Sequence, residues 1–205
     1  DFFAATLNDD DYEVDAEDGD NYSGAYESIL DEAVAVLPER GLRWHYRSRH
    51  EHLIAFSNVK IYNGSLITFP SSVEAAPDFG VEYVYVADGV YDRSGKRNNL
   101  IEAERVADLV FEHIRNHPDR SLGVVTFSEA QQNAVDAAIR QKRIQDDSYE
   151  FFFSEDRDEP FFVKNLENVQ GDERDTVIFS IGYARDSKGV MYMNFGPLSR
   201  DGGYR

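Results

Sequence analysis

Cysteine is absent from this chain of 205 residues, which excludes disulfides and thiolate metal sites and fits a cytoplasmic setting. Positive charge is scarce: 21 Lys and Arg stand against 39 Asp and Glu, a net of -18, and a chain so charged repels nucleic acid at long range. No apolar run approaches the roughly 20 residues that cross a bilayer, and no signal-peptide pattern opens the chain, so no membrane partner is expected. A phosphate-binding loop of the form G-x-x-x-x-G-K-[ST] is missing too. Its nearest approach, at Gly89, Gly95 and Lys96, has the wrong spacing and Arg97 where a magnesium-holding hydroxyl is needed, so it reads as a turn. No G-x-G-x-x-G follows an expected strand, which argues against a Rossmann-type cofactor site. His50 and His52 are the only close histidine pair. On a helix they would point to different faces, so solvated side chains are expected rather than a metal site.

The acidic excess is uneven. Residues 8–20 are rich in Asp and Glu, and 154–159 form a second cluster; both read as solvated surface insertions, the first as disordered. Between them, Arg40, Arg43, Arg47 and Arg49 concentrate positive charge around Tyr46. With 41% hydrophobic residues, one compact domain with a sizeable core is the natural expectation. The spacing predicts helices over 25–36, 49–62, 100–116 and 129–142, and strands over 81–86, 122–127, 161–163 and 176–183. In the third helix Ala103, Val106, Ala107, Val110, Phe111 and Ile114 form the inward face, with Asn99 as cap; in the fourth, Ala134, Val135, Ala138 and Ile139 point inward. Strands alternating with helices imply a doubly wound, mainly parallel sheet. The lone Trp44 reads as a packing residue.

Three segments carry chemistry. Asn168, Val169, Gln170, Gly171, Asp172, Glu173, Arg174 and Asp175 lead directly into the apolar run that starts at Thr176. That loop offers a carboxamide, a residue without a side chain to block close approach, several carboxylates and a guanidinium. Taken alone it is an ordinary polar connection. Upstream, Tyr46 beside Arg47 joins a ring that can stack on a base to a guanidinium that can hold phosphate oxygens. Ser48 and Glu51 form an S-x-x-E capping box, predicting a helix from Arg49 just after that pair. The third segment, 122–132, is a buried-type strand ending in a polar turn, where Ser128 and Gln131 form another capping box.

With these segments in this order, the chain resembles the second RecA-like motor domain of superfamily 1 helicases, in the branch of the nonsense-mediated-decay helicases and its large bacterial members. Tyr46-Arg47 is similar to the motif between that family's two motor domains, 126–131 to its motif IV, and Gln170-Gly171-Asp172-Glu173 to its motif V. Asn99-Leu100-Ile101-Glu102-Ala103 resembles the family's Asn-x-x-Glu-Ala helix start, and 194–203 the run-in to motif VI. Asp1-Phe2-Phe3 resembles residues that follow motif III. Apart from Asp1-Phe2-Phe3, the resemblance spans residues 42–203.

The resemblance implies a RecA-like α/β domain of the P-loop NTPase type. Residues 1–24 would be an acidic insertion after motif III, and 25–205 the second motor domain, cut from its parent before motif VI. It implies that Tyr46 stacks on the adenine of ATP and that Arg47 reaches the γ-phosphate and acts in catalysis. Glu173 would bind the ribose, and Gln170 and Gly171 the phosphates or their coupling to the strand. Thr126, Asn168 and Val169 would contact single-stranded DNA or RNA. The Mg2+ ligands would lie on the first RecA-like domain of the same parent, so this fragment alone is expected to be inactive. Two positions depart from the family pattern: His45 stands in place of an amide side chain and Phe127 in place of a proline, which touches fine contacts only. The alternative on the residues alone is a non-catalytic α/β protein-interaction domain whose acidic segments do the recognising.

Overall fold

The structure, a computed structural model, describes residues 29–48, 50–70 and 80–199. The acidic segment 1–24, residues 25–28 of the expected first helix, Arg49 as a helix start and the final residues of the run-in to motif VI lie outside the described residues. The chain divides into two compact units, 1–81 and 82–205.

The first unit holds α1 (Ile29–Val36), β1 (Trp44–His45), α2 (His52–Lys60) and β2 (Ile67–Thr68). The two short strands pair in parallel, Trp44 opposite Ile67 and His45 opposite Thr68. Asn58 on α2 fixes the entry to β2 by taking both backbone groups of Leu66, donating to its carbonyl at 3.1 Å and accepting its N–H at 3.0 Å. The expected Ser48–Glu51 capping box does not form. α2 starts at His52, with Glu51 at the cap position and no side-chain cap bond. Ser48 is engaged instead by His45, whose Nε2 accepts the Ser48 backbone N–H at 3.2 Å and lies 2.7 Å from its hydroxyl.

Two further expectations fail in this unit. His50 is buried, not solvated, at 5% exposure; its Nδ1 accepts the His52 N–H at 3.2 Å and the two rings meet edge-on at 4.4 Å. The different-faces argument applies inside a helix, and His50 precedes α2. Trp44 is 61% exposed, with its ring stacked on Phe69 at 5.5 Å.

The second unit is built on three parallel strands, β3 (Leu122–Thr126), β4 (Phe162–Asn165) and β5 (Thr176–Ser180), in the order β4-β3-β5. Two helices flank them, α3 (Leu100–Asn116) and α4 (Glu129–Gln145). Both helix starts follow from sequence: Asn99 accepts the Glu102 N–H and Ser128 accepts the Gln131 N–H, each satisfying a donor that the first turn leaves orphaned. Every residue read as inward on α3 is buried, and on α4 Ala134, Val135 and Ile139 are buried with Ala138 partly so. They meet Leu122 and Val124, with Val163 and Ile178 alongside. Burying an aliphatic side chain is worth about 1.5–3 kcal/mol, against about 0–1 kcal/mol for a half-exposed ion pair such as Arg105–Glu112. This apolar layer is therefore what holds the unit together.

That core lies on one face of the sheet. The other face carries Phe162, Val125 and, on β5, Val177 and Phe179, the last 59% exposed. A 3-10 helix, Asp147–Phe153, was not expected; it delivers Phe152 into the core at 1% exposure. Glu155, Asp156, Asp158 and Glu159 beyond it are exposed, as a solvated cluster should be. The strand expected over 81–86 is absent. Alternation of apolar residues is necessary for a strand, but a ladder partner is too, and Tyr83 and Tyr85 stack on each other at 6.4 Å while 78% and 72% exposed. β5 also stops at Ser180, because Gly182 (φ +75°) turns the chain out of the ladder.

Candidate functional site

In a parallel sheet, ligand-binding groups gather where strands end. Tyr46 and Arg47 leave the C-terminal end of β1. The His45–Ser48 contact closes a tight loop around them, so the pair projects: Tyr46 is 85% exposed and Arg47 is exposed beside it. Arg40 and Arg43 are exposed on the approach to β1, giving this loop the cationic surroundings that the sequence concentrates there.

In the second unit the C-terminal ends of β3 and β4 lie side by side, Thr126 opposite Asn165. Leu166 N–H donates to the Thr126 carbonyl at 3.0 Å, and the Asn165 side chain accepts from the N–H groups of Glu167 and Asn168, each at 3.1 Å. These bonds turn the chain so that Asn168 and Gln170 are exposed and Val169 is half-buried. Gly171 follows at φ +90°, a conformation costly for residues with a Cβ, and a Cβ added there would meet nothing within 4 Å. The backbone at Gly171 is thus open to close approach.

The eight residues read as one polar loop are then pulled apart. Asp172 pairs with Lys164 at 2.6 Å. Arg174 donates to the Pro160 carbonyl from Nε at 3.0 Å and from a terminal nitrogen at 2.7 Å, and its guanidinium and the Lys164 ammonium both lie over the Phe162 ring. Asp175 reaches the opposite end of the sheet. Its carboxylate accepts from the Ser121 N–H and hydroxyl, while its own N–H donates to Ser121 Oγ at 2.9 Å. The connection therefore doubles back along β4, with Asp172, Arg174 and Asp175 as anchors, while Asn168, Gln170, Gly171 and Glu173 are exposed.

Thr126 is 0% exposed, and its hydroxyl donates to the Ser128 carbonyl at 2.9 Å. In this conformation its side chain shapes the turn into α4. Gln131, read as a helix-cap partner, is a buried hub bonded to Asn99 and Ser180; its position three residues after Ser128 carries no signal of that. Near Gly95 and Lys96 a turn is found, and their N–H groups donate to the Asp92 carboxylate at 3.0 and 2.9 Å, which occupies the donors a phosphate would need. Among the described residues no group of three or more His, Asp or Glu could hold a metal ion, and no helix is long and apolar enough to cross a membrane.

Comparison with known proteins bears on what this arrangement serves. The family described as AAA domain matches residues 26–196. A protein of Mycoplasma genitalium named as an uncharacterized ATP-dependent helicase is 34% identical over 210 residues, covering 94% of this chain and 17% of its own length. Its homolog in Mycoplasma pneumoniae, named likewise, is 36% identical over 172 residues, 79% of this chain and 14% of its own length. The chain thus spans less than a fifth of the length of either curated relative.

Proposed function

This chain belongs to the AAA domain family, and from that premise we propose that it is the second RecA-like motor domain of an ATP-dependent helicase or translocase acting on single-stranded DNA or RNA. The observation that carries the reading is the Tyr46 ring, 85% exposed at the end of a parallel strand and adjacent in sequence to Arg47. A large exposed aromatic beside a guanidinium suits a ligand that offers both a flat base and phosphate charge. The relatives' names, ATP-dependent helicases, supply the matching nucleotide.

In this reading ATP lies between this domain and the first RecA-like domain of the same parent. Tyr46 stacks on the adenine, and Arg47 neutralises charge that develops on the γ-phosphate during transfer. Gln170, Gly171 and Glu173 are assigned to the phosphates and ribose, and the backbone at Gly171 leaves room for close approach. Asn168 and Val169 touch the nucleic-acid strand, and Thr126 acts by holding the β3 turn. Residues of the first domain would hold Mg2+, which would neutralise charge on the transferred phosphate. Closing and opening of the cleft with each ATP then moves the domain along the strand.

The test is hydrolysis by the intact helicase that carries this sequence. Arg47→Ala should slow turnover by roughly 10³-fold while the variant melts like the parent, and this chain by itself should show no turnover. Unchanged turnover in the Arg47→Ala enzyme would make Arg47 a surface residue and remove the reading.

A further inference from the structure

We infer that Glu102 and Gln131 are positioning residues that lock the turn after β3 to the chain leaving β5, so that the two loops at this end of the sheet move as one. The inference rests on the helicase reading for its purpose and on hydrogen bonding for its substance. Glu102 lies in the first turn of α3. Its carboxylate accepts the Gly182 N–H at 2.9 and 3.1 Å and the Ser180 hydroxyl at 2.8 Å, and lies 3.3 Å from the Asn99 amide nitrogen. Gln131, in the first turn of α4, accepts the Asn99 N–H at 2.8 Å and donates to the Asn99 carbonyl at 3.3 Å and to Ser180 Oγ at 3.1 Å. Asn99, Gln131 and Ser180 are each no more than 1% exposed.

Ser180 is where the two loops meet. It is the register partner of Thr126, and its carbonyl accepts the Phe127 N–H at 3.2 Å. A displacement of Ser180 therefore drags both the β3 turn and the Gly182 bend. Any other residue at Gly182 would be strained: φ is +75°, and a Cβ would sit 3.2 Å from three atoms of the Gln131 side chain. Helix capping alone needs neither group, since Asn99 and Ser128 already cap α3 and α4. An apolar filling would stabilise the site without fixing a direction, whereas a fully bonded polar network specifies one arrangement of its members. The Thr126 carbonyl, at the end of β3, accepts the Leu166 N–H at 3.0 Å, so the lock extends to the loop that carries Asn168.

Hydrogen exchange on this chain, and hydrolysis by the intact helicase with increasing single-stranded DNA or RNA, test the lock together. Glu102→Gln keeps size but turns an N–H donor toward the Gly182 N–H or the Ser180 hydroxyl; Gln131→Leu removes the hub. Each should raise exchange around 127–130 and 181–183 while the α3 amides of Val106 to Ile114 keep parental protection. Each should also raise the nucleic-acid concentration for half-maximal stimulation by at least about fivefold, the lower end of coupling between sites, with basal turnover within about twofold. Should Glu102→Gln not fold, Ser180→Ala deletes the shared hydroxyl, keeps the backbone pairing and carries the same expectation. Parental exchange in both loops overturns the lock. So does uniform loss of protection through α3 with basal and stimulated turnover falling together, which is what a purely structural role produces. A parent enzyme that nucleic acid never stimulates defeats the helicase reading instead, and the exchange measurement then decides the lock on its own.

Discussion

The Phe162 ring lies on Gly123, its register partner across the β3–β4 ladder, so closely that a Cβ built on Gly123 falls 2.5 Å from Cζ of the ring. Gly123→Ala should therefore destabilise the domain. Removing a glycine restricts the unfolded chain and stabilises by about 0.4–1 kcal/mol, but overpacking against a ring carbon costs about 1–3 kcal/mol, so the clash wins. Adding Phe162→Leu to Gly123→Ala should restore part of the loss. Urea midpoints for the two variants check this; a Gly123→Ala protein as stable as the parent would mean the ring moves freely.

His113 gives the second unit a pH dependence. The residue is 9% exposed, and Nε2 lies 3.2 Å from the Arg120 carbonyl. Burial pushes its pKa below the ordinary 6.5; the Arg120 carbonyl opposes this, and the positive charges of His117 and Arg120 reinforce it. The unfolded chain takes up a proton near 6.5 before the folded one does. Stability from the neutral, buried ring is thus complete above that value and lost as pH falls below it toward the folded pKa. The urea midpoint should drop as pH falls below 6.5, and His113→Gln should drop less. Parallel curves for the two proteins would assign the pH dependence to other groups.

Glu173 and Gln170, two exposed residues of one loop, should fail differently in the intact helicase. Glu173→Ala removes an acceptor for sugar hydroxyls, so nucleotide binding should weaken by about 1–3 kcal/mol. Gln170→Ala should reduce nucleic-acid-stimulated hydrolysis and leave basal hydrolysis largely intact, because coupling between two ligands is a free energy separate from either affinity. Nucleotide Kd and stimulated turnover distinguish the two. If neither variant changes either quantity, the exposed part of the connection is only a connection.

Much of the second unit was legible because its signals are local. The four-residue spacing from Ala103 to Ile114, the caps Asn99 and Ser128, and the apolar run Leu122 to Thr126 each encode an element within one short stretch, and each appears where expected. The same local reading failed at Ser48, where a histidine three residues back took the hydroxyl that a capping box needs. It failed again over 81–86, where alternation existed without a ladder partner among the described residues.

What the sequence determined by itself is the α/β class, the helix faces that make the core, and the polar composition of the loops at the strand ends. Tertiary structure alone decided how those loops are spent. The polar stretch from Asn168 to Asp175 reads as one cluster, yet Lys164, Pro160 and Ser121 claim Asp172, Arg174 and Asp175 as anchors. Gln131 became a buried hub only because Ser180 and Gly182, about fifty residues away, meet it across the sheet. Periodicity and capping are set by neighbours within a few residues. Burial and hydrogen-bond partnership depend on which distant strands are brought into register, and no short window of sequence contains that information.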